Sequence, residues 1–348
     1  MATIREISEE AGVSIATVSK VVNGQSGVSK ETRELVSSIA KKLNYRPNLS
    51  ARQLKTGNSR TLGIITEDLT VFNAASIIDG IGVSCDEKNY HYILGNLRFN
   101  QRFGNDPYYT QQRSELVADM VEEMLSKQVD GIIYIGCHSH EVTHSVEMKR
   151  TSTVCAYCYS TDPDIPSVIY NDRAASYKAT QLLIRDGDNK IGVIAGPKDS
   201  GHTSSRLLGF QEALFDHGIP YNPHLTYYGN WERDFGFSYA KRLVDQGVTS
   251  IFAQNDLMAM GVIDYCNQHG VEVGKDVYLI GFDNREISSV CRPTLSTVSL
   301  PLFDIGRTSA HILINTLETG EKSGEHMITL DCNVIEREST GRNSHGGD

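Results

Sequence analysis

The chain of 348 residues has no apolar run near the ~18–20 residues that a membrane-spanning helix needs. Its start, MATIREISEEAG, lacks the basic opening and apolar stretch of a secretory signal, so the expected location is the cytoplasm. Tryptophan occurs once, as Trp231, and none of the seven cysteines precedes position 85. An odd cysteine count in a chain without an export signal points to reduced thiols, not a disulfide framework. No P-loop, GxGxxG or GxSxG string occurs, and no Ser-His-Asp set is legible. Nothing therefore marks an enzyme or calls for a cofactor.

Basic residues are outnumbered, 33 Lys and Arg against 43 Asp and Glu, for a net charge of −10. The sum hides an asymmetry. Residues 1–60 hold ten Lys/Arg and five acids, a charge of +5, which leaves −15 on the remainder. A basic head on an acidic body suits a small polyanion-binding module joined to something else.

The head reads as three short helices. Thr3 and Glu6 have the spacing of a capping box, and Ile4, Ile7 and Ala11 fall on one helical face. Gly12 ends that helix. Ser14 caps a second helix, Ile15 to Val22, with Val18, Val21 and Val22 inward, and Asn23-Gly24 ends it. Ser29 caps a third, with Leu35, Val36, Ile39, Ala40 and Leu43, and Pro47 stops it. Two helices joined by a glycine-containing turn, with a third completing the core, make a helix-turn-helix. Residues 48–60, NLSARQLKTGNSR, are polar, basic and too short for a domain, and read as a hinge or linker.

From Thr61 short β-rich runs alternate with amphipathic stretches. Leu62–Ile65, Gly131–Ile135, Lys190–Ala195 and Ser250–Ala253 are among the strands, with helices such as Ser76–Lys88, Arg206–Asp216 and Asp256–His269 between them. This alternation implies parallel α/β sheets. Residues 61–338 exceed what one such sheet needs, so two lobes are expected, with a break near 161–163 and a recrossing near 285–300. Ligands of such sheets bind at the carboxyl ends of the strands, here in a cleft between lobes. Residues 339–348 are polar, carry no leucine heptads and read as a disordered tail.

With these elements in order, the sequence resembles the lactose/galactose repressor family of bacterial transcription regulators. The match runs from Thr3 to about Glu338, through TIREISEEAGVSIATVSKVVNG, VSKETRELV and LNYRPNLSARQLKTG in the head. In the body it continues through IGVIAGP, SRLLGFQEAL, IFAQNDLMAMGVID, VYLIGFDN and RPTLSTVSLPLFDIG. The resemblance implies an all-α helix-turn-helix head and a two-lobed α/β core like a periplasmic sugar-binding protein. It implies a homodimer on a near-palindromic DNA operator, regulating transcription as a repressor.

Ile15, Ala16 and Lys20 match the family's base-reading positions on the second helix. Lysine can donate to a guanine edge or a phosphate, and Ile15 and Ala16 can meet a thymine methyl. Thr3, Ser14, Thr17, Ser19, Asn23, Ser29 and Thr32 match positions that hold the DNA backbone. Residues 48–56 match the family's hinge helix, with Leu54 as the wedge into the minor groove.

In the body, Trp231 matches an aromatic that lies against a sugar ring, and Arg206 matches the ligand-gripping arginine. Asp283, Asn255, Ser200 and His202 match further ligand-facing positions, and Thr70 and Asn73 stand in the corresponding first-lobe loop. That loop lacks the usual aromatic platform at Asn73 and Ala74, so the effector is not named by the resemblance. Two other partner classes stay open. One is a phosphocarrier protein acting as corepressor, as in the catabolite branch of the family. The other is a solute receptor without DNA binding.

Three features fall outside this pattern. Segment 98–113 is longer than the family's loop. Cys155 and Cys158 have CxxC spacing, but in a continuing strand residues three apart point to opposite faces. His138, His140 and His144, beside Cys137 and Glu141, could bind metal, but no helical histidine pair is expected there and a polar strand-end loop is the plainer reading.

Overall fold

The computed structural model describes residues 2–22, 24–45, 58–104, 110–142, 145–184 and 190–341. The chain divides into two compact units, Met1–Ser59 and Arg60–Asp348.

The first unit contains α1 (Ile4–Ala11), α2 (Ile15–Val22) and α3 (Lys30–Lys42). Its capping box forms: Thr3 N–H donates to Glu6 Oε2 at 2.7 Å, and Glu6 N–H donates to Thr3 Oγ1 at 3.3 Å. Gly12 takes a left-handed φ of 63° and turns the chain toward α2. Ser14 and Ser29 accept from the Thr17 and Thr32 N–H groups at 3.1 and 3.2 Å, so both hydroxyls start helices. Ile7, Ala11, Val18, Val21, Val36 and Ile39 close a small apolar core.

The second unit has two lobes. In chain order the first lobe begins with β1 (Thr61–Thr66), α4 (Phe72–Lys88), β2 (His91–Asn96) and α5 (Phe99–Phe103). It continues with α6 (Thr110–Ser126), β3 (Gly131–Ile135), α7 (Ser145–Met148), β4 (Ser152–Ala156) and β5 (Ser167–Tyr170). The chain then crosses into α8 (Asp172–Leu183), β6 (Ile191–Ala195), α9 (Gly201–Asp216), β7 (Thr226–Tyr228), α10 (Arg233–Asp245) and β8 (Ser250–Ala253). After these come α11 (Asp256–His269), β9 (Tyr278–Ile280), α12 (Ile287–Val290) and β10 (Thr297–Ser299). Helix α13 (Leu302–Thr319) and β11 (Met327–Leu330) return to the first lobe, and β12 (Asn333–Ile335) pairs with β10 in the second.

The first sheet has the order β11-β5-β4-β3-β1-β2 and the second β7-β6-β8-β9, all pairs parallel. Strands such as GIIYI and IGVIA are buried throughout, as parallel strands covered on both faces must be. Helices α4 and α13 pack close enough that a Cβ on Gly306 would lie 1.9 Å from the Ile77 carbonyl oxygen.

Three sequence expectations change. The break near 161–163 is not the lobe boundary, because β5 still pairs with β4 in the first sheet. Thr161-Asp162-Pro163 is a polar turn, with Asp162 Oδ1 accepting from the Asp164 N–H at 3.0 Å. The chain crosses instead at 171, at 300–301 and a third time at 331–332. The tail expected from 339 starts later: Ser339 and Thr340 are fully buried, and Ser339 bridges Ser296 N–H and Leu279 O at 2.8 and 2.7 Å.

Candidate functional site

On the head, α2 buries Val18 and Val21 and leaves Ile15, Ala16 and Lys20 exposed. Ile15 is 53% exposed. Thr3, Ser14 and Ser29 are exposed and Thr17, Ser19 and Thr32 half-buried, flanking that face at helix starts where N–H groups favour phosphate. The Ser14 and Thr17 hydroxyls lie 2.9 Å apart, as do those of Ser29 and Thr32. Asn23, Leu54 and the 48–56 hinge lie outside the described residues.

In the core, the carboxyl ends of strands from both sheets converge on Arg206 of α9. This side chain is 3% exposed. Its Nε donates to Asp172 Oδ1 at 2.6 Å, Nη1 to the Gln254 carbonyl, and Nη2 to Tyr170 Oη at 2.9 Å. Asp283 Oδ1 stands 3.8 Å from Nη2. The guanidinium lies 3.7 Å over the Phe282 ring and 5.6 Å from that of Trp231.

His202 extends the network. Its Nδ1 is 2.6 Å from Asp172 Oδ2, and its Nε2 accepts from the Ser139 N–H of the first lobe at 2.9 Å. The second bond fixes the tautomer, with the ring proton on Nδ1. Tyr157, Tyr170 and His202 form a stack, centroids 5.5 and 5.7 Å apart. Trp231 has φ 69° and presses its ring on Gly196, where a Cβ would lie 2.1 Å from Cζ2. That contact requires glycine.

Burial works to raise the Asp172 carboxyl, but His202 and Arg206 prevail and hold it below its ordinary value. Asp283 has no such close cation, and burial lifts it to about 8 against the pull of Arg206. Asp256 rises to about 7 by burial, although Thr297 Oγ1 and the Arg285 N–H donate to it at 2.6 and 2.7 Å.

The first lobe adds a second ion pair. Glu67 Oε1 accepts from Tyr134 Oη and lies 3.0 Å from His140 Nε2, while Oε2 accepts from the Cys137 N–H at 2.8 Å. Burial opposes the charges, yet the partners hold Glu67 down to about 2 and His140 up to about 9. Burial and the charge of His140 push His138 down to about 4.

The sequence candidates divide. Arg206, His202, Trp231 and Asp283 come together. Asn255 is committed at both ends: Oδ1 caps α11 through the Met258 N–H, and Nδ2 donates to the Trp231 carbonyl at 2.9 Å, so it positions the tryptophan. Asn73 is fully buried, with Nδ2 donating to the Gly136 carbonyl at 3.0 Å and Oδ1 unpartnered. Thr70 is exposed and donates to Asp68 Oδ1 at 2.7 Å, while Ser200 starts α9 without a side-chain cap. Sequence reasoning missed Glu67, Tyr157, Tyr170 and Asp172. The signal that could have found Asp172 is a buried acid at the carboxyl end of β5.

Two discounted motifs look different in three dimensions. The run from His140 to His144 spells HExxH, which holds zinc when it lies on a helix. Here His140 is outside any helix and Glu141 bridges to Tyr159 as a strand pair, so the helical face is missing; His144 lies outside the described residues. Cys155 and Cys158 do not point to opposite faces. Tyr157 at φ 63° ends β4, and both thiols enter the same apolar cluster. Segment 98–113 contains α5, with Phe99 buried and Arg113 5.4 Å over its ring.

A three-helix reading head attached to a two-lobed binding core defines a ligand-responsive DNA-binding regulator. Residues 3–48 match the family described as bacterial regulatory proteins, lacI family, and residues 180–340 match the periplasmic binding protein-like domain. Catabolite control protein A of Priestia megaterium is 31% identical, covering 97% of this chain and 99% of that protein. The transcriptional repressor CytR of Escherichia coli K12 is 29% identical over 97% of this chain and 96% of its own length. The lac repressor dimer bound to operator and the anti-inducer ONPF superimposes with a TM-score of 0.78 at 25% identity, covering 97% of this chain and 99% of that one. The chain belongs to the lacI family and is a DNA-binding transcriptional regulator. The family consists of regulators, not enzymes.

Proposed function

We propose that the chain acts as a homodimeric repressor whose operator affinity is switched by a sugar held between its two lobes. The observation that carries this reading is the convergence of Arg206, Asp172, His202, Trp231 and Asp283 of the second lobe against Ser139 and Tyr157 of the first. Polar groups there can read hydroxyls, while Trp231 and the tyrosines offer flat faces to ring C–H groups. A solved relative supports the ligand class: the transcriptional regulator CelR in complex with cellobiose, 26% identical with a TM-score of 0.65.

The DNA face consists of Ile15, Ala16 and Lys20, with Thr3, Ser14, Thr17, Ser19, Asn23, Ser29 and Thr32 holding phosphates. Leu54 enters the minor groove from a hinge at 48–56. Dimerisation draws support from the edge strand β2, where Tyr92 and Leu94 are exposed beside Val83 of α4. Such an apolar edge calls for a cover. Two copies then require a near-palindromic operator.

The test selects duplexes from a random pool with the full chain and measures binding against salt. The reading expects near-palindromic sites with a steep salt dependence. It expects neutral sugars to change both that affinity and Trp231 emission. Sites without two-fold symmetry would overturn the dimeric reading. Response to a phosphocarrier protein, with none to sugars, would replace the effector.

A further inference from the structure

We propose that the effector is an uncharged, hydroxyl-rich molecule, and that the cleft excludes sugar phosphates and sugar acids. This rests on reading the cleft as the effector site and goes further by fixing the ligand's charge.

A buried anion needs a cation whose charge is not already matched. Arg206 is the natural anchor for one, but Asp172 already balances it at 2.6 Å. Its Nε, Nη1 and Nη2 each donate to protein acceptors. Of the five N–H groups of a guanidinium, two are left to meet a hydroxyl. The charge itself is spent. His140 is likewise matched by Glu67 at 3.0 Å.

Among the described residues, further cations outside these buried pairs lie on aromatic faces. Arg285 sits 5.3 Å over Phe72, Lys198 4.9 Å over Tyr228, and Arg113 5.4 Å over Phe99. Each of these buried pairs, Glu67–His140 and Arg206–Asp172, is neutral as a unit and leaves no net positive charge for an entering anion.

Two further groups ask for a ligand that can donate. Asn73 Oδ1 is buried without a partner, and its amide cannot flip because Nδ2 serves the Gly136 carbonyl. A ligand hydroxyl can supply the missing donor. Asp283 is lifted by burial to about 8, so at neutral pH its carboxyl can both donate to and accept from a hydroxyl.

The experiment uses the full chain and three pools at millimolar concentration: neutral mono- and disaccharides with polyols, their phosphate monoesters, and their uronic and aldonic acids. Trp231 emission and thermal unfolding are followed. The expected hits lie in the neutral pool, each phosphate ester binding at least about 100-fold more weakly than its parent, a difference of about 2.7 kcal/mol. An ester or acid that binds as tightly as its neutral parent overturns the proposal. Silence from all three pools overturns the effector reading beneath it.

A second arm needs no identified effector. Asp172→Asn leaves Arg206 unmatched and should create affinity for inorganic phosphate, read at Trp231 beside the guanidinium. Asp283→Asn leaves the charge balance as it is and should create none. Phosphate binding by the unmodified chain, or equal gains in both variants, refutes the charge argument. If Asp172→Asn does not fold, the three pools decide alone.

Discussion

Replacing Asp283 by asparagine should flatten the pH dependence of the core's stability. The Asp283 side chain is 8% exposed, and its nearest cation, Arg206, is 3.8 Å away and engaged by Asp172. Burial raises the carboxyl from 3.8 to about 8. An acid whose folded value is raised stays protonated in the native state while the unfolded chain has lost its proton. Its contribution is therefore whole below about pH 4 and is lost as pH climbs toward 8. One proton corresponds to about 1.4 kcal/mol per pH unit, so the chain should lose about 2–3 kcal/mol between pH 5 and 7 relative to Asp283→Asn. Urea unfolding of both proteins at pH 5, 6 and 7, followed at Trp231, measures that difference. Parallel profiles would show Asp283 ionised and paired with Arg206, and the reasoning would fail.

The Glu67–His140 pair gives a different profile. Glu67 is held down to about 2 from 4.5 and His140 up to about 9 from 6.5, so both contributions are whole only between about pH 4.5 and 6.5. The stability gap between the chain and His140→Gln should be widest there and close as pH rises through 9; a gap that widens with pH contradicts the pairing. Gly306→Ala should cost about 1–3 kcal/mol, since its Cβ would meet the Ile77 carbonyl at 1.9 Å and force α4 and α13 apart. An unchanged melting temperature would show that the two helices separate freely. Lys20→Ala should weaken operator binding, with the salt slope falling by about 1 if the ammonium meets phosphate and staying level if it meets a base.

Much of the fold is legible because strands in parallel sheets are continuous apolar runs. GIIYI and SIFA occupy the positions their sequences suggest. What stays hidden is long-range. Strands β10, β11 and β12 have only three or four residues, too few for a periodic signal, and β10 pairs with β12 across α13. Helix α13 begins at Leu302 after Pro301, with no side-chain cap to announce it. The Thr161-Asp162-Pro163 turn resembles a boundary because composition does not reveal that β5 rejoins β4. The cleft follows the same rule. Arg206 and Trp231 stand out locally, but Asp172 and Glu67 gain meaning only when folding brings a cation to each. Periodicity misplaced Cys158 because it cannot foresee a left-handed Tyr157.

Which contacts could let a ligand move the lobes follows from where each one sits. A ligand shifts such an equilibrium only through what differs between its states. The Glu67–His140 pair lies within the first lobe, and Arg206–Asp172 within the second, so neither need change on opening. Tyr170, which touches both Arg206 and His202, sits one residue before a lobe crossing, where displacement is least. Among the described residues, and beside the 6.1 Å ring contact of Tyr157 with His202, the Ser139–His202 hydrogen bond and Arg285 over Phe72 span the cleft away from the crossings. A neutral hydrogen bond contributes about 1 kcal/mol and an exposed cation–π contact about 0.5–1 kcal/mol. Together they bias closure by about 10–30-fold, within reach of one sugar. His202→Ala removes the acceptor for Ser139 and should open the lobes without any ligand. X-ray scattering from the full chain should then show a larger radius of gyration, and an unchanged profile would place the closing energy elsewhere.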